Sequence, residues 1–422
     1  MSDRRREIME NVYLTYLPAE KFKTGELSVQ LVTPLRRETA ALNAVLPAVL
    51  RRGTMRCPDM ESLAAALDRL YGAQIDYTVR KKGENQCVGF TASFIDDAFV
   101  PAGESLMEQV CRLTGELLLD PVTRNGRFLP AYVDSEKSNL IDAIRAIRND
   151  KRDYADLRLL QEMCADEPYG VNRLGDEESA RHIYNQKLFQ HYQQLLSASR
   201  LEIIYSGSCE ESRVENALQE ALAMLPRGTA EELLPAQLRL PPSEPRYVPE
   251  EMDVTQGKLA MGFRCLSDDI PAMIMVNLLF GGSSNSKLFL NVREKLSLCY
   301  YASSSYHRVK GIMTVSSGIE TKDYQKAYDE ILHQLRTIQE GDWEDWEMPG
   351  ALSTMLNSLR SLSDTQGGLE NFYLGQAATG QVETPEDLAS QLEQVTRERI
   401  LAAADTVRLD TVYFLKGKEN TL

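Results

Sequence analysis

A chain of 422 residues exceeds what one ordinary hydrophobic core encloses and fits two domains of roughly 200 residues each. Hydrophobic residues at 43% and charged residues at 26% are the usage of a fully folding globular protein, which excludes disordered and collagen-like chains. With 62 acidic against 47 basic residues the formal charge is −15, the wrong sign for tracking a phosphate backbone, and no basic stripe with interleaved aromatics occurs, so nucleic acid is not an expected partner.

The acidity reads as a solvated surface or, alternatively, as a chamber for basic peptides. From Met1 to Asn11 no apolar segment follows the arginines, and no run of about 18 apolar residues occurs later. A cytoplasmic protein with no membrane partner is the expectation.

The first clear strand is Leu27 to Leu35, alternating in character, followed by a helical run from Thr39 to Leu50 that ends at Arg51-Arg52-Gly53-Thr54. Asp59 to Tyr71 has apolar spacing near 3.6 and stops at Gly72, where a helix C-terminus favours glycine. The spacing then predicts a hairpin with arms Ile75 to Arg80 and Gln86 to Phe94, turned by Gly83 and Asn85. Helices are predicted over Gly103 to Leu119, Tyr132 to Arg148, Tyr154 to Cys164 and Leu188 to Leu196, the last running into a strand at Leu201 to Tyr205 and Gly207. After one more helix, Glu211 to Met224, the stretch 225–249 gathers Pro226, Pro235, Pro241, Pro242, Pro245 and Pro249 with little periodicity. It reads as a linker between an N-terminal domain, 1–224, and a C-terminal domain, 250–422.

Beyond the linker the order recurs: a strand at Lys258 to Cys265, helices at Pro271 to Phe280 and around Lys287 to Leu296, and a hairpin near Tyr301 to Gly318. Asn185 to Gly207 and Thr396 to Gly417 are both helix, short turn, strand and glycine, about 210 residues apart. Such a duplicate, with strands and helices mixed, argues for two similar α+β domains. The seven cysteines are odd in number and widely spaced, which suggests neither a disulfide framework nor a metal knuckle, but reduced and mostly buried thiols.

Several motifs in order resemble the pitrilysin and insulinase superfamily of zinc peptidases over nearly the whole chain. Leu50-Arg51-Arg52-Gly53-Thr54 resembles the end of that family's metal-binding helix, and Asp166-Glu167-Pro168-Tyr169-Gly170 with Leu174-Gly175 resembles the stretch after its third metal ligand. The most specific segment is Gly281-Gly282-Ser283-Ser284-Asn285-Ser286-Lys287-Leu288-Phe289 followed by Val292-Arg293-Glu294-Lys295-Leu296-Ser297-Leu298-Cys299-Tyr300, similar to the family's second-half signature. The resemblance implies two similar domains of the mitochondrial processing peptidase/LuxS-like metallohydrolase type, forming a clamshell.

The same alignment places the family's zinc histidines at Ala44 and Ala48, its general base at Pro47 and its third ligand at Ala143. Zinc requires imidazole, thiolate or carboxylate, and a catalytic site adds a base for the bound water. Methyl groups and a pyrrolidine ring supply neither, and Pro47 has no N–H for the carbonyl of Asn43, so a kink is expected there. Glu136, which matches a retained acidic residue of the family, reads as a solvated or structurally paired carboxylate. The histidines, His182, His191, His307 and His333, include no i, i+4 pair and read as surface or packed side chains. No metal and no cofactor is expected.

In the family, the arginine and tyrosine matching Arg293 and Tyr300 hold the substrate's peptide backbone, so the resemblance assigns these two to peptide-substrate binding; the alternative is that Arg293 pairs with a neighbouring acid and Tyr300 lies in the core. Gly281 and Gly282 read as a helix terminus and turn. The resemblance implies a noncatalytic subunit partnered, as a heterodimer, with a motif-containing zinc peptidase of the same superfamily, or a homodimer in isolation. Within the superfamily the chain is similar to the group associated with the 5-aminopentanol modification of elongation factor P. The competing readings are a structural scaffold without a role in proteolysis and a metal-free enzyme, for which no Ser-His or Cys-His motif is found.

Overall fold

In the computed structural model, which describes residues 4–417, the alternating stretch around Leu27 becomes the long strand β3 inside a six-stranded sheet. Its strands are β1 (Arg5–Met9), β2 (Val12–Pro18), β3 (Thr24–Pro34), β4 (Gln74–Lys82), β5 (Asn85–Ile95) and β6 (Arg200–Gly207), in the order β1-β2-β6-β3-β5-β4. Among the described residues of this sheet only β2 and β6 pair in parallel. Side chains alternate across a strand, so Leu27, Val29 and Leu31 enter one core while Val32 joins a separate cluster on the opposite face.

Helices α1 (Arg37–Leu50), α2 (Met60–Arg69), α3 (Leu106–Leu119), α4 (Pro130–Ala146), α5 (Lys151–Met163), α6 (Glu177–Arg181), α7 (Asn185–Ala198) and α8 (Glu211–Ala221) occupy the rest of the first half. The Asp59 side chain caps α2 through a reciprocal capping box with Ser62, and the helix leaves through Gly72 at φ +75°, a conformation open to glycine. α1 runs through Pro47 as one helix whose residues from Ala40 to Leu50 are all buried.

The second sheet repeats the first. Its strands, β7 (Arg246–Met252), β8 (Gly257–Cys265), β9 (Cys299–His307), β10 (Ile312–Ile319) and β11 (Val407–Gly417), run in the order β7-β11-β8-β10-β9. Among the described residues its one parallel pair is β7 with β11, so β7, β11, β8, β10 and β9 take the places of β2, β6, β3, β5 and β4, and β1 has no counterpart there. Packed on it are α9 (Ile270–Asn277), two π-helical segments at Leu278–Gly282 and Leu288–Lys295, and α10 (Tyr324–Gln339), α11 (Glu347–Leu362), α13 (Pro385–Glu393) and α14 (Arg397–Ala404), with α12 (Gln366–Thr379) interrupting the series. The helix-turn-strand echo read from the sequence is α7 with β6 and α14 with β11. Both expected α+β domains are therefore present as units of like topology.

The units do not follow the halves of the chain. One consists of the residues up to 145 with 171–235 and 364–382; the other of 146–170, 236–363 and the residues from 383 on. α12 thus belongs with the first sheet, where Tyr373, Leu374 and Ala378 bury Leu17, Val32, Cys87 and Ile204. α5 belongs with the second, where Tyr154, Ala155 and Leu159 bury Ala260, Tyr413 and Leu415. Each sheet has two apolar faces, and an exchanged helix covers one of them. Two segments therefore lie outside a division into 1–224 and 250–422. Residues 225–245 form neither helix nor strand, and β7 begins at Arg246, within the stretch read as a linker.

Candidate functional site

α1 brings Ala44, Pro47 and Ala48 into the first unit's core, where Ala44 and Ala48 are 3% and 8% exposed. Ala143 sits on an exposed turn of α4. Around α1 the polar groups are satisfied by one another. Asn43 donates from Nδ2 to Gln86 Oε1 (2.8 Å), and Gln86 donates from Nε2 to the carbonyls of Ala40 (3.1 Å) and Arg173 (2.6 Å). With its amide nitrogen so committed, Asn43 accepts at Oδ1 from His191 Nε2. Burial, reinforced by Lys187, holds His191 down to about 4, so the ring is neutral with its proton on Nε2.

Glu136 is buried on α4 and paired. Arg52, just past the end of α1, grips it, and also donates to Ser135 Oγ (2.8 Å), while Asn139 donates to the other oxygen of Glu136 (3.0 Å). This matches the reading of Glu136 as a structurally paired carboxylate. Its cationic partner, Arg52, stands in the motif that ends α1, where no spacing in the sequence points to Glu136. Among the described residues no three His, Cys, Asp or Glu side chains are grouped as a metal site would need. The seven cysteines are free and buried.

In the second unit, the glycine-serine signature packs as a tight corner. A Cβ on Gly281 would come within 2.6 Å of the backbone nitrogen of Ser304 on β9, which holds that position to glycine by close approach, while one on Gly282 would press on the side chain of Asn277 at 2.5 Å. Ser286 then donates from Oγ to the carbonyl of Ser283 (2.6 Å), Lys287 to the buried Glu347 (2.9 Å), and Asn291 to Gln334 (2.7 Å). These anchors fix the π-helical segment that carries Arg293.

Arg293 itself is not buried. Its side chain is 40% exposed, 3.4 Å from Glu294 and 4.7 Å from the centre of the Phe289 ring. Tyr300, on β9, is 65% exposed and donates to Glu320 at 3.2 Å. Arg293 thus has the neighbouring acid that the alternative reading supposed, but Tyr300 is outside the core. A guanidinium with spare N–H groups and an exposed phenol hydroxyl are both suited to hydrogen-bond carbonyl oxygens.

Two α+β units of one topology, with a buried helix in the metal-binding place that offers only alanine and proline, define a metallopeptidase fold without its metal chemistry. Residues 182–355 match the family model described as Peptidase M16 inactive domain. A Bacillus subtilis (strain 168) protein named Probable inactive metalloprotease YmfF is 35% identical over 412 residues, covering 95% of this chain and 94% of that protein. A Helicobacter pylori (strain ATCC 700392 / 26695) protein named Non-peptidase homolog YmxG is 24% identical over 245 residues, 56% of this chain and 55% of that one. Among solved structures, a conserved protein from Enterococcus faecalis V583 superposes with a TM-score of 0.89 at 26% identity, covering 99% of each chain. The chain belongs to the M16 (pitrilysin and insulinase) peptidase family, as an inactive homologue that lacks the His-x-x-Glu-His motif and the third ligand.

Proposed function

We propose that this chain is the noncatalytic subunit of a heterodimeric peptidase, partnered with a motif-containing zinc peptidase of the same family, and that Arg293 and Tyr300 hold the peptide backbone of the substrate near the partner's zinc. The observation that carries this reading is the contrast between the two halves of the family's machinery. Ala44, Pro47 and Ala48 are packed in the core and Ala143 is an exposed methyl group, while Arg293 and Tyr300 stay solvent-facing, Arg293 on a segment that the hydrogen bonds of Lys287 and Asn291 hold in place. An exposed arginine and tyrosine in the positions that the resemblance assigns to substrate holding favour this reading over a scaffold. The same reading takes the cytoplasm as the compartment and the 5-aminopentanol modification of elongation factor P as the setting.

The test is reconstitution with a motif-containing relative from the same cell. Replacing Arg293 by Ala and Tyr300 by Phe is expected to lower peptide turnover by about 100-fold with assembly unchanged by gel filtration, as for the loss of an oxyanion-type donor. Equal turnover with equal assembly would leave the scaffold reading in front.

A further inference from the structure

Between α2 and α3, in the first unit, lies a cavity of about 420 Å³ that takes no part in the reading above. Arg56, Arg69 and Arg112 line it, and no acidic side chain does. Its floor is apolar and made of buried residues: Cys57, Ala66, Leu70 and Leu113. The volume falls in the range of small-molecule sites, roughly 300–1,000 Å³, which combine an apolar lining with a few convergent polar groups.

Among the described residues, two of the three exposed guanidiniums are without a partner. Arg56 is engaged by Glu116 of α3 through Nε and Nη2, at 3.0 and 2.9 Å. Arg69, in the last turn of α2, and Arg112, in the middle of α3, have no ion-pair or hydrogen-bond partner among the described residues. Carboxylates are abundant in a chain of formal charge −15, and the α3 residues nearest Arg112 in sequence are already used, Glu108 by Arg213 (2.9 Å) and Glu116 by Arg56. With Arg56 neutralised by Glu116, two exposed guanidiniums, Arg69 and Arg112, stay unpaired at one hollow, where an anion would complete them. A guanidinium fork fits the two oxygens of a carboxylate or phosphate, and the apolar part of the lining favours a carbon body.

We propose that this cavity binds an organic oxyanion, a carboxylate or phosphate head on a small apolar body. The head lies between Arg69 and Arg112 and the body on Ala66, Leu70 and Leu113. The site stands independently of the metal positions and of Arg293 and Tyr300.

The experiment is calorimetric titration of the full chain at low and at physiological salt with phenyl phosphate, phenylacetate and inorganic phosphate. One saturable site is expected for phenyl phosphate or phenylacetate, the tighter of the two identifying the head, with inorganic phosphate at least about tenfold weaker because it gains nothing from the floor. Arg69→Gln and Arg112→Gln should each weaken binding by about tenfold or more, and Ala65→Phe, which crowds the cavity without touching a charge, should abolish it. Arg124→Gln, an exposed arginine outside the cavity, should change nothing, and circular dichroism shows that each variant is folded. Absence of saturable binding by either organic ligand overturns the proposal. So does equal affinity in the folded Arg69→Gln/Arg112→Gln double variant, or inorganic phosphate binding as tightly as phenyl phosphate.

Discussion

Arg80 on β4 grips Glu370 on α12 with two parallel hydrogen bonds of 2.6 and 2.7 Å across 290 residues of sequence. Ser28 of β3 donates to the same carboxylate at 2.6 Å, so a helix from the second half of the chain is tied to two strands of the first sheet. The second unit makes the converse tie: Glu250, on strand β7, accepts from Tyr154 (2.8 Å) and Arg158 (3.3 Å) of α5 and from Tyr413 (2.9 Å) of β11. In each unit a glutamate fastens the exchanged helix to its sheet.

Breaking such a pair from one side strands the other charge. Glu370 is 5% exposed at its side chain and Arg80 22%, so Glu370→Ala should destabilise the protein by about 3 kcal/mol, at the low end for a buried pair because Arg80 keeps some solvent. Arg80→Met with Glu370→Leu should recover part of that loss, since neither charge is then left alone. Urea unfolding followed by fluorescence and circular dichroism measures both; a single variant within about 0.5 kcal/mol of wild type would contradict the tie.

Because α12 lies in the second half of the chain and α5 in the first, neither half holds a complete unit. A fragment of residues 1–235 would leave Leu17, Val32, Cys87 and Ile204 uncovered, and one of residues 236–422 would do the same to Ala260, Tyr413 and Leu415. Each fragment alone is expected to expose apolar surface, bind a hydrophobic dye and unfold without cooperativity; co-expressed, the two should associate and regain a cooperative transition. A monomeric 1–235 fragment with sharp unfolding of its own would refute this.

Glu26, half-buried on β3, is pushed up from 4.5 to about 7 by burial and then by the neighbouring Glu370, with Arg80 acting against both. A raised carboxyl means that the folded state holds a proton the unfolded chain has released. Its contribution is therefore complete below pH 4.5 and declines as pH rises towards 7, above which the loss is constant. Glu26→Gln should remove this part of the slope and raise the melting temperature at pH 8 relative to wild type while leaving it nearly unchanged at pH 4. Melting curves from pH 4 to 8 test it, and parallel curves for the two proteins would sink the assignment.

The purified protein is expected to hold no stoichiometric zinc and to cleave no peptide by itself, since Ala44, Pro47, Ala48 and Ala143 provide neither ligand nor base. Metal analysis after dialysis, with peptide cleavage assayed with and without a chelator, measures this. One tightly held zinc per chain accompanied by chelator-sensitive cleavage would contradict it.

The local signals in the sequence were strong where short-range physics decides. Period-2 alternation marked β3, the hairpin signals marked β4 with β5 and β9 with β10, and Gly72 marked the end of α2. β1 and β2, which precede β3, and β7, in a proline-rich stretch, have no clear signal in the sequence: β1 is a five-residue edge strand on β2, while β2 and β7 pair in parallel with the distant β6 and β11. The absent metal ligands could be read without any structure, since chemistry that requires a side chain is excluded by its identity alone.

The duplicated order of elements and the loss of the zinc motif are thus written in the chain itself. The tertiary structure alone decided the exchange of α5 and α12, the pairing of Glu136 with Arg52, and the solvent exposure of Arg293 and Tyr300. α5 and α12 each carry an apolar face that any apolar sheet would accept, and periodicity records that such a face exists without recording which sheet will cover it. The choice rests on contacts such as Arg80 with Glu370, made between groups 290 residues apart, and a separation of that kind leaves no local trace in the chain.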